Sequence, residues 1–393
     1  MSGLQRLLVV SHVAHFEHEG RLFAYGPYAR ELDIWADLFG EVVIAAPLRQ
    51  QHPPADVIAF SRSNVSIVPQ LETGGDDVLA KALQLLALPV HIWRLGRTMW
   101  RADAIQVRCP GNLGLLGCLL APWFRKPRVA KYAGQWNNYE GEPWTWRWQK
   151  SLLHSHWWEA PVLVYGDWPG QPAHVLPFFT SVMDEGQMVR TRGAAARDWS
   201  KRPLEILFVG RLSEAKNVDV ILRAIGQMQN EAEGIRLRIV GDGPMRGSLQ
   251  ALARELEIGD KILFEGAVPQ TKVLDFYEQG DVLVIASQTE GWPKAIAEAM
   301  AFGLVCVGSN RGFVPQMLGE GRGLLVEPRD TEALAFALRS VLNNPAWAQQ
   351  ISKRAAAWAQ KFTLERFRDA LRSTLDSAWG VRFGGGGLGP SPG

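Results

Sequence analysis

From Leu7 onward, short β-branched apolar runs alternate with helix-length stretches: LLVV at Leu7, EVVIAAP at Glu41, VSIV at Val65, AIQVRCP at Ala104, RVAKYAG at Arg128 and PVLVYG at Pro161. Strands separated by helical crossovers predict an α/β fold with a parallel, doubly wound sheet covered on both faces. Between Pro177 and Pro203 the pattern lapses into polar and basic sequence (RTRGAAARDWSKRP), which reads as a linker. The rhythm then returns with LEILFVG at Leu204, IRLRIVG at Ile235, KILFEGAV at Lys261, DVLVIAS at Asp281, LVCVGS at Leu304 and GLLVEP at Gly323. Beyond Asp330 the pattern is almost entirely helical. The predicted organisation is a first domain over 1–185, a linker over 186–203, a second domain over 204–365, a terminal helix over 366–382 returning to the first domain, and a disordered glycine- and proline-rich tail over 383–393. Two such domains in tandem predict a cleft between the carboxyl ends of their sheets, where open α/β sheets bind ligands.

Length and charge narrow the picture without changing it. A chain of 393 residues, at about 150 per domain, suits two domains. With 42 basic against 40 acidic residues, the net charge of +2 argues against a nucleic-acid binder that relies on phosphate neutralisation. Cys109, Cys118 and Cys306 have neither metal-ligand nor disulfide-framework spacing, so a reducing, cytoplasmic compartment is expected. The start, MSGLQRLLVVSHV, runs straight into a strand and has no signal-peptide pattern. The apolar run from Leu113 to Phe124 is too short to span a bilayer and reads as a core helix.

The richest chemistry lies in QTEGWPKAIAEAMAFG, which sets Glu290 and Glu298 eight positions apart across a loop-to-helix boundary. DVLVIASQ reads as a buried strand ending before Glu290, and Pro293 suits the first position of a helix carrying Glu298. The free amides of that helix start form an electropositive cup for an anion or sugar hydroxyls. Glu298 is alone in an apolar segment and needs a partner. Either Lys294, one turn earlier, supplies a weak helix-face contact, or vicinal hydroxyls such as those of a ribose do.

The first strand of the second domain ends in LFVGRLSEAKN, with Gly210 at the turn, then Arg211 and Lys216. A planar fork beside a mobile point charge suits a diphosphate; the alternative is a solvated loop with Glu214 as counter-ion. The next strand ends in VGDGPMRG, where Gly241 and Gly243 permit a tight turn. This departs from a dinucleotide fingerprint because Gly247 comes a residue late, although Glu265 keeps a ribose-binding acid available to a nicotinamide enzyme. No Asp-x-Asp pair occurs, so no metal is implied, no cofactor is expected, and charge on a leaving diphosphate falls to cations and amides.

With these motifs in order, the stretch from Pro203 to Leu342 resembles the retaining, GT-B-fold glycosyltransferases of family four (glycosyl transferases group 1). FVGRLSEAKN, IVGDGP, FEGAVP, EGWPKAIAEAMAFG, VPQML and GLLVEPRD all appear in sequence. The resemblance implies a GT-B fold of two Rossmann-like domains facing a cleft, the first binding the acceptor and the second a nucleotide-diphosphate sugar. It implies that Arg211 and Lys216 bind the donor diphosphate and Glu298 the ribose. Glu290, with Gly291, Trp292, Pro293 and Lys294, would hold the transferred sugar, Glu290 being the catalytic candidate. Gly210, Gly241, Gly243 and Val268 would form the nucleotide loop. The implied reaction is a metal-independent hexosyl or related transfer to an acceptor hydroxyl with retention, in cell-surface or exported polysaccharide biosynthesis. The rivals are a non-catalytic subunit of a glycan-assembly complex and a sugar phosphorylase or nucleotide-sugar epimerase on the same fold.

The first domain offers less. A histidine common in the family near the end of a first-domain strand has no counterpart in AIQVRCPGN, where Arg108 and Cys109 stand instead. Candidates for the acceptor side are His12 and His15 in the loop SHVAHFEHEG, and Gly134, Gln135 and Trp136 at a strand end. His12, His15 and His18 have a three-residue spacing that suits either a metal or a polar active-site loop. Ten tryptophans lie between Trp93 and Trp168, interleaved with Arg94, Arg97, Arg101, Arg125, Lys126, Arg147 and Lys150. Core packing, stacking on a saccharide or lipid-linked saccharide acceptor, and peripheral contact with the cytoplasmic membrane face each account for such a run.

Overall fold

A computed structural model of the protein describes residues 4–54, 56–72, 78–181, 183–228 and 234–383. The chain divides into two compact units, one built from 1–179 with 364–393 and the other from 180–363. The tail expected to be disordered falls, from residue 384 on, outside the described residues.

The first unit is centred on a parallel sheet in the order Val175–Phe178, Val162–Tyr165, Arg128–Tyr132, Ala104–Cys109, Arg6–Val10 and Glu41–Arg49, with Val65–Gln70 paired to the last. Arg6–Val10 and Ala104–Cys109 are adjacent although nearly a hundred residues separate them, so the winding reverses between them. Helix Gly26–Leu38 packs on one face and helix Val78–Arg101 on the other. Helix Leu364–Trp379 also belongs to this unit, burying Phe367, Leu371 and Leu375 among Leu7, Val9, Leu32 and Trp35.

Two segments differ from the sequence expectation. SHVAHFEHEG is a β-hairpin rather than a loop: His15–His18 pairs antiparallel with Arg21–Tyr25. Its connection, Glu19–Gly20, has positive φ at both residues (50° and 70°), the twist that two-residue hairpins favour. Segment 186–203 is held against the second unit rather than hanging as a linker. Asp184 and Gln187 form a reciprocal capping box that starts helix Glu185–Val189. Arg190 pairs with Asp275 and Glu278 at 2.7 and 2.8 Å, and Arg197 donates to the carbonyl oxygens of Tyr277 and Phe302. These basic side chains are fastened to the fold, so their charge is no sign of a free connector.

The second unit carries six parallel strands in the order Ile262–Gly266, Ile235–Val240, Leu204–Val209, Val282–Ile285, Val305–Ser309 and Gly323–Val326. The chain begins in the middle, winds outward to one edge, then returns to wind toward the other. The switch lies between Leu204–Val209 and Val282–Ile285, and ligands of such sheets bind outside the carboxyl ends at that point.

Candidate functional site

The second unit's switch point brings its two chemical motifs into contact. Lys216 Nζ donates to Glu290 Oε1 at 2.6 Å, joining the loop after the first strand to the loop after the fourth. Glu290 is nearly buried and Lys216 about one-third exposed, so the ammonium keeps an open side. Backbone and amide bonds fix this meeting: Asn217 Nδ2 donates to the Ala286 carbonyl (2.8 Å), the Gln288 amide to Ala215 (2.9 Å), and Gln288 Nε2 to Asn217 Oδ1 (3.3 Å). Asn217 holds a left-handed conformation (φ 47°), a role that asparagine tolerates better than most side chains. Neither Asn217 nor Gln288 was singled out from the sequence.

Arg211 stands exposed at the start of the same loop. The Gly210–Leu212 turn is packed backbone to backbone on the next strand's loop. The Leu212 amide donates to the Asp242 carbonyl at 2.9 Å, and a Cβ at Gly241 would lie 1.9 Å from the Gly210 oxygen. Gly243 is similarly pinned, its imagined Cβ 2.4 Å from the Leu212 oxygen. Side chains at these two positions would push the loops apart. Val268 follows strand Ile262–Gly266 and is half-buried.

Glu298 is buried on helix Lys294–Ala301 and accepts from Gln270 Nε2 at 3.2 Å, a partner from another helix that helix spacing could not reveal. Pro293 is the residue capping that helix rather than its first turn, and Gly291 precedes it in the same loop. Trp292 does not offer its ring to a ligand. The indole stacks on Phe313 (5.0 Å) and Trp358 (6.2 Å) and meets Phe362 edge-on, holding the loop from behind and leaving only its backbone to line the site. Glu265 pairs with Arg238 at 3.2 Å, and Arg238 also pairs with Glu205, which places this acid in an ion-pair ladder along the strands.

In the first unit the corresponding switch point holds Ser11, His12 and the loop Pro110–Gly111. Gly111 (φ 149°) lies against the His12 ring, where a Cβ would come within 2.7 Å of Nδ1. Desolvation of its ring, and then the Arg108 guanidinium, hold the His12 imidazole below its ordinary range although the residue as a whole is exposed. His15 is a core residue, contrary to the acceptor-side expectation. Its ring is enclosed between Tyr28 and Phe60, its Nδ1 lies 2.8 Å from the Val13 carbonyl, and burial pushes it down to about 4. His18 lies beside His52 instead, and no group of three His, Cys, Asp or Glu side chains among the described residues is arranged to hold a metal.

Trp136 is likewise structural, donating to Gln171 at 2.9 Å with its ring edge-on to Tyr132. Gln135 is buried beside it, and Gly134 packs on Pro110. Sequence motifs gave no sign of the buried triad beneath this edge. Glu31 lies 2.9 Å from both Arg108 Nη1 and Lys131 Nζ, Arg108 sits over the Tyr28 ring, and Lys131 over Phe367. Burial lowers Lys131 to about 8 against the opposing pull of Glu31.

Residues 191–358 match the model of the family described as glycosyl transferases group 1. The second unit belongs to this family. Within the curated relatives, glycogen synthase of Mycobacterium tuberculosis is 34% identical over 170 residues, 43% of this chain and 40% of that protein. The chain spans about half the length of the curated relatives it matches. Among solved structures, sucrose-phosphate synthase from Thermosynechococcus elongatus aligns with a TM-score of 0.69 at 18% identity, covering 96% of this chain and 99% of that one. The Anabaena protein HepE, solved in complex with UDP, aligns at 0.68 and 16% identity, covering 95% and 100%. At these identities the likeness is one of fold, and the fold is GT-B. No helix among the described residues is long and apolar enough to cross a membrane.

Proposed function

We propose that the protein is a retaining glycosyltransferase that moves a sugar from a nucleotide-diphosphate sugar to an acceptor hydroxyl without a metal. The observation that carries the reading is the Lys216–Glu290 contact at the group 1 domain's switch point, with Arg211 exposed beside it. In this reading Arg211 and Lys216 receive the diphosphate, their charge replacing a metal as leaving-group negative charge develops. Glu298, with its neighbour Gln270, takes the ribose hydroxyls. Glu290 orients the transferred sugar along the amides of residues 291–294. The Gly210, Gly241 and Gly243 turns let the backbone approach the nucleotide, and Val268 faces the base. HepE, a structure with UDP bound, supports a nucleotide donor. The acceptor is a saccharide or lipid-linked saccharide of an exported glycan, and the reaction runs at the cytoplasmic face of a membrane with peripheral contact.

The Lys216–Glu290 pair gives the step a built-in exchange. Before the donor arrives, each charge satisfies the other; an incoming diphosphate competes for Lys216 and frees Glu290 to accept from sugar hydroxyls. In a thermal-shift screen in EDTA against uridine, guanosine and adenosine diphosphates, at least one nucleotide is expected to stabilise the protein. Stabilisation by none would overturn the donor assignment. Lys216→Ala is expected to lower kcat by about a hundredfold or more. Glu290→Ala with unchanged kcat would remove the sugar-orienting role.

A further inference from the structure

We infer that one face of the first unit docks on an anionic phospholipid bilayer; the inference builds on the membrane contact proposed above and names the face and its groups. On helix Val78–Arg101, Leu95 and Met99 turn into the core. Trp93, Arg97, Trp100 and Arg101, spaced i, i+4, i+7 and i+8, share the opposite side. Trp93 is 66% and Trp100 76% exposed, and Val90 and Ile92 precede them at the surface.

The face continues past the helix. Gly96 lies against the Phe124 ring, and Lys126 reaches back to the carbonyls of Trp100 and Ala102. There Trp123, 74% exposed, meets Trp157 edge-on at 5.7 Å. Indoles left outside a core in this number have an apolar body and a polar N–H suited to the headgroup boundary.

Charge selects the occupant. From Leu88 to Pro127 the only acid is Asp103, which accepts from the Gln5 and Arg6 amides. Against it stand Arg94, Arg97, Arg101, Arg125 and Lys126, while Arg108 is buried against Glu31 and takes no part. A groove of about 400 Å³ is lined by Trp93, Arg94, Arg97 and Arg101, with Arg6 and Pro69 on its far side. Arg6 is held by Glu41 and Arg94 by the Pro69 carbonyl, while Arg97 and Arg101 pair with no acid among the described residues. A saccharide site needs acceptors as well as donors for hydroxyls; between Leu88 and Arg101 there is no carboxylate or amide side chain. A helix face of arginines and exposed indoles without a carboxylate fits phosphate headgroups above an acyl boundary.

Sedimentation of the full chain with phosphatidylcholine vesicles, with and without phosphatidylglycerol, tests this. Pelleting is expected only with the anionic lipid. The exposed-face variants Arg97→Glu/Arg101→Glu and Trp93→Ala/Trp100→Ala should each cut partitioning by about tenfold or more. Whichever of the uridine, guanosine and adenosine diphosphates stabilises the parent protein should shift the melting of both variants as it shifts that of the parent, which separates surface loss from misfolding. No pelleting with anionic vesicles, parental pelleting by both variants, or binding by this face to soluble oligosaccharide instead would overturn the inference. Vesicle binding without any nucleotide response would leave it standing and count against the donor reading alone.

Discussion

The two units share an architecture but store their chemistry differently. In the second, the charged residues sit on loops at the carboxyl edge, within short stretches of chain, and Lys216 and Glu290 meet with one side open. In the first, Glu31, Arg108 and Lys131 come from a helix and two strands and are almost fully enclosed. One arrangement is spared full desolvation and is free to exchange partners with a ligand. The other depends on every member staying in place, because a buried charge whose partner is lost has no water to fall back on. The difference teaches where to expect function to be tuned and where stability is at stake.

The sharpest way to break this comparison is Glu31→Gln, which leaves Arg108 and Lys131 without their anion. It should destabilise the first unit by about 3–5 kcal/mol, read as lost hydrogen-exchange protection in strand Arg128–Tyr132. Protection in strand Val282–Ile285 should change little; equal loss in both would mean the units do not respond separately.

Acid gives the next largest contrast, because all eight histidines lie in the first unit. His15 is neutral in the fold, with its pKa moved from 6.5 to about 4. The unfolded chain therefore binds the extra proton first as pH falls, so this contribution is intact above 6.5 and lost progressively toward 4. At the limit it is worth about 3 kcal/mol, and His15→Phe should flatten the first unit's pH dependence in that window. An unchanged profile would remove His15 as its source.

The smallest effect concerns the donor side. Glu298→Gln keeps the shape but removes the charge, and should weaken nucleoside diphosphate binding by about 1.5–3 kcal/mol with stability nearly unchanged. Calorimetry showing parental affinity would detach Glu298 from the ribose.

The same contrast explains what could be read from the chain alone. Strands Val282–Ile285 and Val305–Ser309 were visible as continuous apolar runs, since a buried parallel strand is apolar on both faces, while Ile235–Val240 kept its apolar residues in alternation with Arg236 and Arg238. Glu290 and Glu298 were visible because a turn and a helix fix their relation locally. The Arg108–Glu31 contact joins residues 77 positions apart, and no local pattern announces it. Strand Val175–Phe178 was hidden by Pro177, which is tolerated there because the strand lies at the sheet edge. The hairpin turn at Glu19–Gly20 and the capping box at Asp184 did leave signals, a glycine able to take positive φ and an Asp-x-x-Gln spacing. Both were masked by the polar composition around them.

Helix Leu364–Trp379 sets a schedule for synthesis. The first unit's strands leave the ribosome before the second unit, yet Phe367, Leu371 and Leu375, which complete one side of its core, emerge after it. The second unit lies wholly between them and can finish folding first. Until that helix arrives, the earlier strands carry an uncovered apolar surface. Nascent chains halted before Leu364 should therefore be cut by protease within residues 4–179 and resist it within 180–363; release of helix Leu364–Trp379 should reverse that sensitivity.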